Sequence, residues 1–222
     1  MTHDNEFLEG LVKSGMMILL SEIGDKTFFI AAIMAMRHSR LTVFSGAIGA
    51  LGVMTALSAA MGWAAPNLIS KEITHYLAVG LFFFFGGRSL YESVVAWDGG
   101  GDELAEVEAE LADEDEKKKK GKKGKKDASS FLLSPVLVET FVITFLAEWG
   151  DRSQIATIGL AASSDPVGVT IGGIAGHAVC TGAAVIGGRH MAEHISERAV
   201  AIAGGVLFCL FGAHSLVTGL EE

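Results

Sequence analysis

The chain has 222 residues, half of them hydrophobic, and a formal net charge of −9. Leu41 to Ala65 holds no charged residue and Ala199 to Leu220 only His214; both exceed the ~20 residues that cross a hydrocarbon core, so neither reads as a helix of a soluble core. The two cysteines, Cys180 and Cys209, lie inside apolar segments, which excludes a disulfide framework and leaves them as small buried hydrophobes.

In chain order, six hydrophobic segments run roughly Phe7 to Met36, Leu41 to Ala65, Ile73 to Trp97, Phe131 to Ser163, Pro166 to Met191 and Ala199 to Leu220. The first 36 residues lack the basic start, short apolar core and small-residue cleavage site of a secretory signal. The first and fourth segments are longer than a straight span needs and must tilt, extend or break. Gly24 and Gly150 are natural break points. Between the third and fourth lies a charged linker, acidic from Asp102 to Glu116 and then basic, with eight lysines from Lys117 to Lys126. It cannot be embedded in lipid, and its Glu/Lys content favours a solvated stretch, helical from Glu103 to Lys120. The organisation expected is therefore a first unit at 1–97, a cytoplasmic linker at 98–130 and a second unit at 131–222.

Charge inside the long segments carries the chemistry. Glu22-Ile23-Gly24-Asp25-Lys26-Thr27 returns as Glu148-Trp149-Gly150-Asp151-Arg152-Ser153, both of the form E-x-G-D-[KR]-[ST]. Ionisable residues at membrane depth cost ~3 kcal/mol or more each and mark ion pathways or substrate sites. On a continuous helix the Glu and Asp would sit about 60° apart and the base about 40° from the Glu, so the charges would share one stripe.

Counting from Glu22 to Glu148 gives an offset of 126 residues. The same offset carries Gly46 onto Gly172, Val53 onto Val179, Thr55 onto Thr181, Phe82 onto Phe208, Gly86 onto Gly212 and Ser89 onto Ser215. Three spans recur as a unit. A unit that crosses an odd number of times re-enters from the other side, so the expectation is an all-α integral membrane protein of six transmembrane helices in two inverted three-helix repeats, the first and fourth broken at the E-x-G-D motifs. Inverted repeats are the architecture of secondary transporters, with substrate sites near the midplane where broken helices meet. Basic residues gather on the cytoplasmic side of a membrane. Arg37, Arg40, the lysine linker, Arg189 and Arg198 fall on one side, which makes the linker cytoplasmic and both termini lumenal. Gly46, Gly49, Gly52, Gly172, Gly173 and Gly176 give small faces for close helix packing.

If the halves bring the motifs together, Glu22, Asp25, Glu148 and Asp151 are the metal-ligating candidates, with Lys26, Thr27, Arg152, Ser153, Gly24 and Gly150 supporting them. Four acids and two bases leave −2, which one divalent cation or two protons cancel. Carboxylates, hydroxyls and freed carbonyls are hard ligands suited to Ca²⁺ or Mn²⁺. The plainer alternative is an ion-pair lock, Glu22 to Lys26 along one turn; a fixed offset between two copies argues against it. His177, whose repeat mate is Leu51, is a candidate proton relay or a residue that steadies the ligands. Lys13 and Glu139, another repeat pair, read as gate residues or as side chains reaching for the interface, and Arg88 and Glu92 read as a pair one turn apart.

The stretch Glu22 to Arg37 followed by Arg40-Leu-Thr-Val43, together with Phe145 to Gln154, Gly176-His177, Cys180-Thr181-Gly182 and Ala184 to Arg189, resembles the Gdt-type cation/proton exchangers of the Ca²⁺/H⁺ antiporter-2 family, closest to its animal Golgi branch. The resemblance covers nearly all of the chain outside the linker. It implies Mn²⁺ and Ca²⁺ transport into the Golgi lumen in exchange for H⁺, supplying Mn²⁺ for glycosylation, with Glu22, Asp25, Glu148 and Asp151 lining the site. No permanently bound cofactor is expected, only transported Mn²⁺ or Ca²⁺. The partners are those ions, H⁺ and the lipid bilayer, and no nucleic acid.

Three other classes compete. A passive channel is disfavoured by the base inside each motif. A small-solute exporter of a related three-plus-three fold needs no four midplane carboxylates. An intramembrane zinc enzyme would use His190-Met-Ala-Glu193-His194, an H-x-x-E-H pattern, but that stretch straddles the end of a span and only 28 residues follow it.

Overall fold

The computed structural model describes residues 3–68, 70–95, 105–113, 134–194 and 196–218. Among them the chain is helical throughout, with nine helices and no strand. They are α1 (His3–Glu22), α2 (Lys26–Arg37), α3 (Arg40–Leu68), α4 (Lys71–Val94), α5 (105–113), α6 (Pro135–Glu148), α7 (Arg152–Ser163), α8 (Pro166–His194) and α9 (Glu197–Thr218). Three stretches, Arg40–Asn67, Pro166–Gly188 and Arg198–Thr218, are each long and apolar enough to cross a membrane alone. The window in α9 is only 22% buried inside the protein, so most of that apolar surface needs lipid to cover it.

The two long motif-bearing segments each consist of two consecutive helices. Glu22 closes α1 and Asp25 precedes α2, while Gly24 takes φ 79°; Glu148 closes α6 and Asp151 precedes α7, while Gly150 takes φ 82°. A side chain at that φ would cost roughly 1–2 kcal/mol, which is why glycine stands there. The two turns share their bonding: Asp25 N donates to Glu22 O and Asp151 N to Glu148 O, both at 3.2 Å. Because residues 23–25 and 149–151 are not helical, the motif charges do not form a continuous helical stripe. They are split between the end of one helix and the start of the next.

The helices pack in crossed pairs. α1 lies against α8, α6 against α3, α2 against α8, α7 against α3, and α4 against α9. Glycines set the closest approaches: a Cβ on Gly46 would sit 2.7 Å from Leu137 O, and one on Gly172 would collide with Leu11 O. α2 is buried without interruption from Thr27 to Ala35, as expected of a helix apolar all round.

The described part of the linker is helical, as its composition suggests, but it is not the wholly solvated stretch expected. Residues 105–113 form a helix that seats Val107 (1% exposed) and Leu111 (5%) in the same core as Phe28 to Ala35 of α2 and Ala184 and Val185 of α8. Val107 and Leu111, four residues apart, present an apolar stripe that the surrounding charge hides. The rest of 98–130, including the lysine run, lies outside the described residues.

Candidate cation site

The site forms where the ends of α1, α2, α6 and α7 meet against α3 and α8. Glu22 (3% exposed) and Glu148 (2%) are the C-terminal residues of α1 and α6 and belong to different halves of the sequence. Thr27, in the first turn of α2, joins them: its Oγ1 donates to Glu148 Oε1 at 2.6 Å and lies 3.5 Å from Glu22 Oε2. A hydroxyl has one proton, so it serves one carboxylate at a time.

Asp151 completes the group. One oxygen from each of Glu22, Glu148 and Asp151 can be chosen so that all lie within 4.8 Å of one another. Its orientation is fixed locally: Asp151 caps α7, accepting from Gln154 N at 2.8 Å and Ser153 N at 3.0 Å, and Ser153 Oγ donates to it at 3.0 Å. Gly150 N donates to Gln154 Oε1 at 2.7 Å, bracing the turn. The N-termini of α2 and α7 lie at this acidic centre, where their positive dipole ends favour negative charge.

The repeat mates diverge. Asp25 has no side-chain cap bond and lies 3.5 Å from Arg152 Nη2; Arg152 also donates to Ser21 O at 3.4 Å. Asp25 is thus outside the group of three and is neutralised by the base of the opposite motif. Lys26 turns away altogether, 2.7 Å from Glu110 Oε1 on α5. The lock of Glu22 with Lys26 is therefore not formed. Gly24 and Gly150 supply the turns, and Thr27 and Ser153 act differently, one bridging the halves and the other holding its own Asp151.

One residue counts for more in the site than its place in the sequence suggests. His177 on α8 is 5% exposed, and its Nδ1 lies 4.0 Å from Glu22 Oε2. It lines a cavity with Glu148, Asp151, Ser153, Thr157 and Ser58. Both His177 Nδ1 and Glu22 Oε1 are buried without a hydrogen-bond partner. Orphaned buried polar atoms are rare and costly, and a cation among these oxygens would satisfy Glu22. Elsewhere, Arg88 and Glu92 pair at 2.8 Å. Lys13 bonds Glu9 at 2.5 Å and lies 3.3 Å from His214 Nδ1 on α9. His190 is exposed, and the side chains of Glu193 and His194 lie outside the described residues.

Helices that need lipid and a buried acidic centre built by both halves define a membrane transporter of cations. Residues 10–97 and 136–222 match the divalent cation/proton antiporter family GDT1, and the chain belongs to that family. It is 51% identical to GDT1-like protein 5 of Arabidopsis thaliana over 224 residues, 96% of this chain and 98% of the relative. It is 51% identical to GDT1-like protein 5 of Oryza sativa subsp. japonica over 233 residues, 96% of this chain and 97% of that one. GDT1-like protein 3 of Arabidopsis thaliana is 48% identical over 210 residues, 93% of this chain and 70% of the relative. No solved structure matches the chain significantly.

Proposed function

We propose that this antiporter exchanges Mn²⁺ and/or Ca²⁺ for H⁺ across a Golgi-type membrane, supporting metal homeostasis and glycosylation, with Glu22, Glu148 and Asp151 holding the ion and Asp25 and Arg152 beside them. The observation that carries the reading is the buried Glu22–Thr27–Glu148 bridge, in which residues 121 apart in sequence share one polar centre. Six spans in two inverted repeats, 1–97 and 131–222, place that centre near the midplane. Helix packing supports this symmetry: exchanging the halves turns the α1–α8 contact into α6–α3 and α2–α8 into α7–α3, and all four are present. The basic residues at 37, 40, 189 and 198 support a cytosolic linker and lumenal termini.

Charge balance supports exchange rather than leakage. With Lys26 drawn to Glu110, the four acids and Arg152 carry a formal −3. A dication or two protons each bring it to −1, so swapping one load for the other moves no net charge. Carboxylate and hydroxyl oxygens suit both proposed ions.

The test is proton release from proteoliposomes on addition of Mn²⁺ or Ca²⁺. The expected result is release that follows metal uptake and is lost in Glu148→Gln. Metal flux without proton movement would make the protein a passive channel and overturn the reading.

A further inference from the structure

We infer that His177 is the nitrogen donor of the cation site and biases it towards transition-metal dications such as Mn²⁺ over Ca²⁺. This rests on the site proposed above and adds to it the basis of ion selectivity.

His177 sits on α8, inside the bundle, 5% exposed. Its Nδ1 has no hydrogen-bond partner, and neither has Oε1 of Glu22, whose Oε2 is 4.0 Å away. A histidine kept only for packing between helices would be expected to satisfy that nitrogen on a neighbour, since an unpaired buried polar atom is destabilising. Here the unpaired atom lies beside the Glu22 carboxylate. In six-coordinate geometry at about 2.2 Å, neighbouring ligand atoms lie about 3 Å apart and opposite ones about 4.4 Å. The 4.0 Å between Nδ1 and Oε2 falls between these, so a side-chain shift below an ångström puts both on one ion. His177 also lines a cavity with Glu148 and Asp151; its nitrogen stands outside the compact group of three carboxylate oxygens and would join an ion there from the Glu22 side.

Ca²⁺ takes oxygen ligands; Mn²⁺ also favours oxygen but, as a first-row transition ion, accepts an imidazole nitrogen in addition. A nitrogen added to a carboxylate set therefore leaves Ca²⁺ binding to the oxygens and strengthens binding of Mn²⁺. The repeat mate of His177 is Leu51, which lines the same cavity from α3. The fold thus accepts leucine at the equivalent place, and the imidazole is a one-sided addition to an otherwise duplicated site.

Two measurements on the full chain decide the matter. Competitive Mn²⁺ and Ca²⁺ uptake into proteoliposomes is compared for the native protein, His177→Leu and His177→Gln. Even residues behind the ligands change metal affinity by about 10–100-fold when replaced, so the Mn²⁺:Ca²⁺ uptake ratio is expected to fall at least ~10-fold. Electron spin-echo modulation of Mn²⁺ bound to the native protein is expected to show imidazole nitrogen coupling, and this readout stands even if a variant fails to fold. Absence of nitrogen coupling, or an unchanged ratio in a folded variant, overturns the inference. Those results with Glu148→Gln inactive leave the site intact and remove only the nitrogen; normal transport of both ions by Glu148→Gln removes the site itself.

Discussion

At the scale of single residues, Thr27 and Ser153 show how a duplicated motif acquires two functions. Both are hydroxyls at the start of a broken helix's second half, yet Thr27 bonds across to Glu148 and Ser153 bonds back to Asp151. Hydrogen bonds to charged groups are worth roughly 1.5–3 kcal/mol. Thr27→Val, which keeps the shape and removes the donor, is expected to weaken cation binding ~10–100-fold. Ser153→Ala leaves Asp151 with two backbone amides and is expected to cost at most a few-fold. Isothermal titration of Mn²⁺ or Ca²⁺ into both variants checks the order; equal losses would mean that the bridge has no special weight. The motif residues themselves were legible, because charge in an apolar segment needs a reason. Their divergence was not: nothing in E-x-G-D-[KR]-[ST] says that Asp25 will face Arg152 while Asp151 caps its own helix. Gly46 belongs at this scale too. A Cβ there would lie 2.7 Å from Leu137 O and 2.9 Å from Thr140 Cβ, both on a packed helix. Gly46→Ala must push α3 and α6 apart, a cost of typically 1–3 kcal/mol, visible as a lower melting temperature in detergent. Gly80→Ala meets nothing within 4 Å and is the control.

At the scale of elements, α5 is where composition misleads. Residues 105–113 carry Glu106, Glu108, Glu110 and Asp113, and that acidity reads as a solvated stretch. The spacing of Val107 and Leu111 is the signal that wins, because two buried aliphatic side chains contribute roughly 1.5–3 kcal/mol each. The ion pair Lys26–Glu110 is 38% and 51% exposed at its two ends, and exposed pairs contribute at most about 1 kcal/mol. Apolar contact, not the ion pair, therefore holds α5 against α2. In a background without Cys180 and Cys209, Val107→Cys is expected to react slowly with a water-soluble maleimide. Adding Leu111→Ala should accelerate labelling at least ~10-fold, and adding Glu110→Ala should change it little; the reverse order would make the ion pair the dominant contact.

At the scale of the whole molecule, the offset of 126 residues was readable because both halves keep their small residues in register: Gly46 meets Leu137, and their mates Gly172 and Leu11 meet in turn. What a sequence cannot carry is which contacts break the symmetry. Among the described residues α4 packs on α7 and α1 on α9, yet the equivalent pairings, α9 on α2 and α6 on α4, are absent or slight. Two identical halves arranged with perfect symmetry would expose the site equally to both sides, which is no use to an exchanger; unequal contacts are what let a bundle face one side at a time. On the inverted-repeat reading proposed above, the α4–α7 contact is expected to be one that the opposite-facing state gives up. A Cβ on Gly159 would lie 3.5 Å from Ala78 Cβ, within the span a disulfide bridges. In a background lacking Cys180 and Cys209, Ala78→Cys with Gly159→Cys should cross-link under mild oxidation and stop proton-coupled metal uptake. Reduction should restore it. Full uptake by fully cross-linked protein would mean that α4 and α7 move together and that the asymmetry lies elsewhere in the bundle.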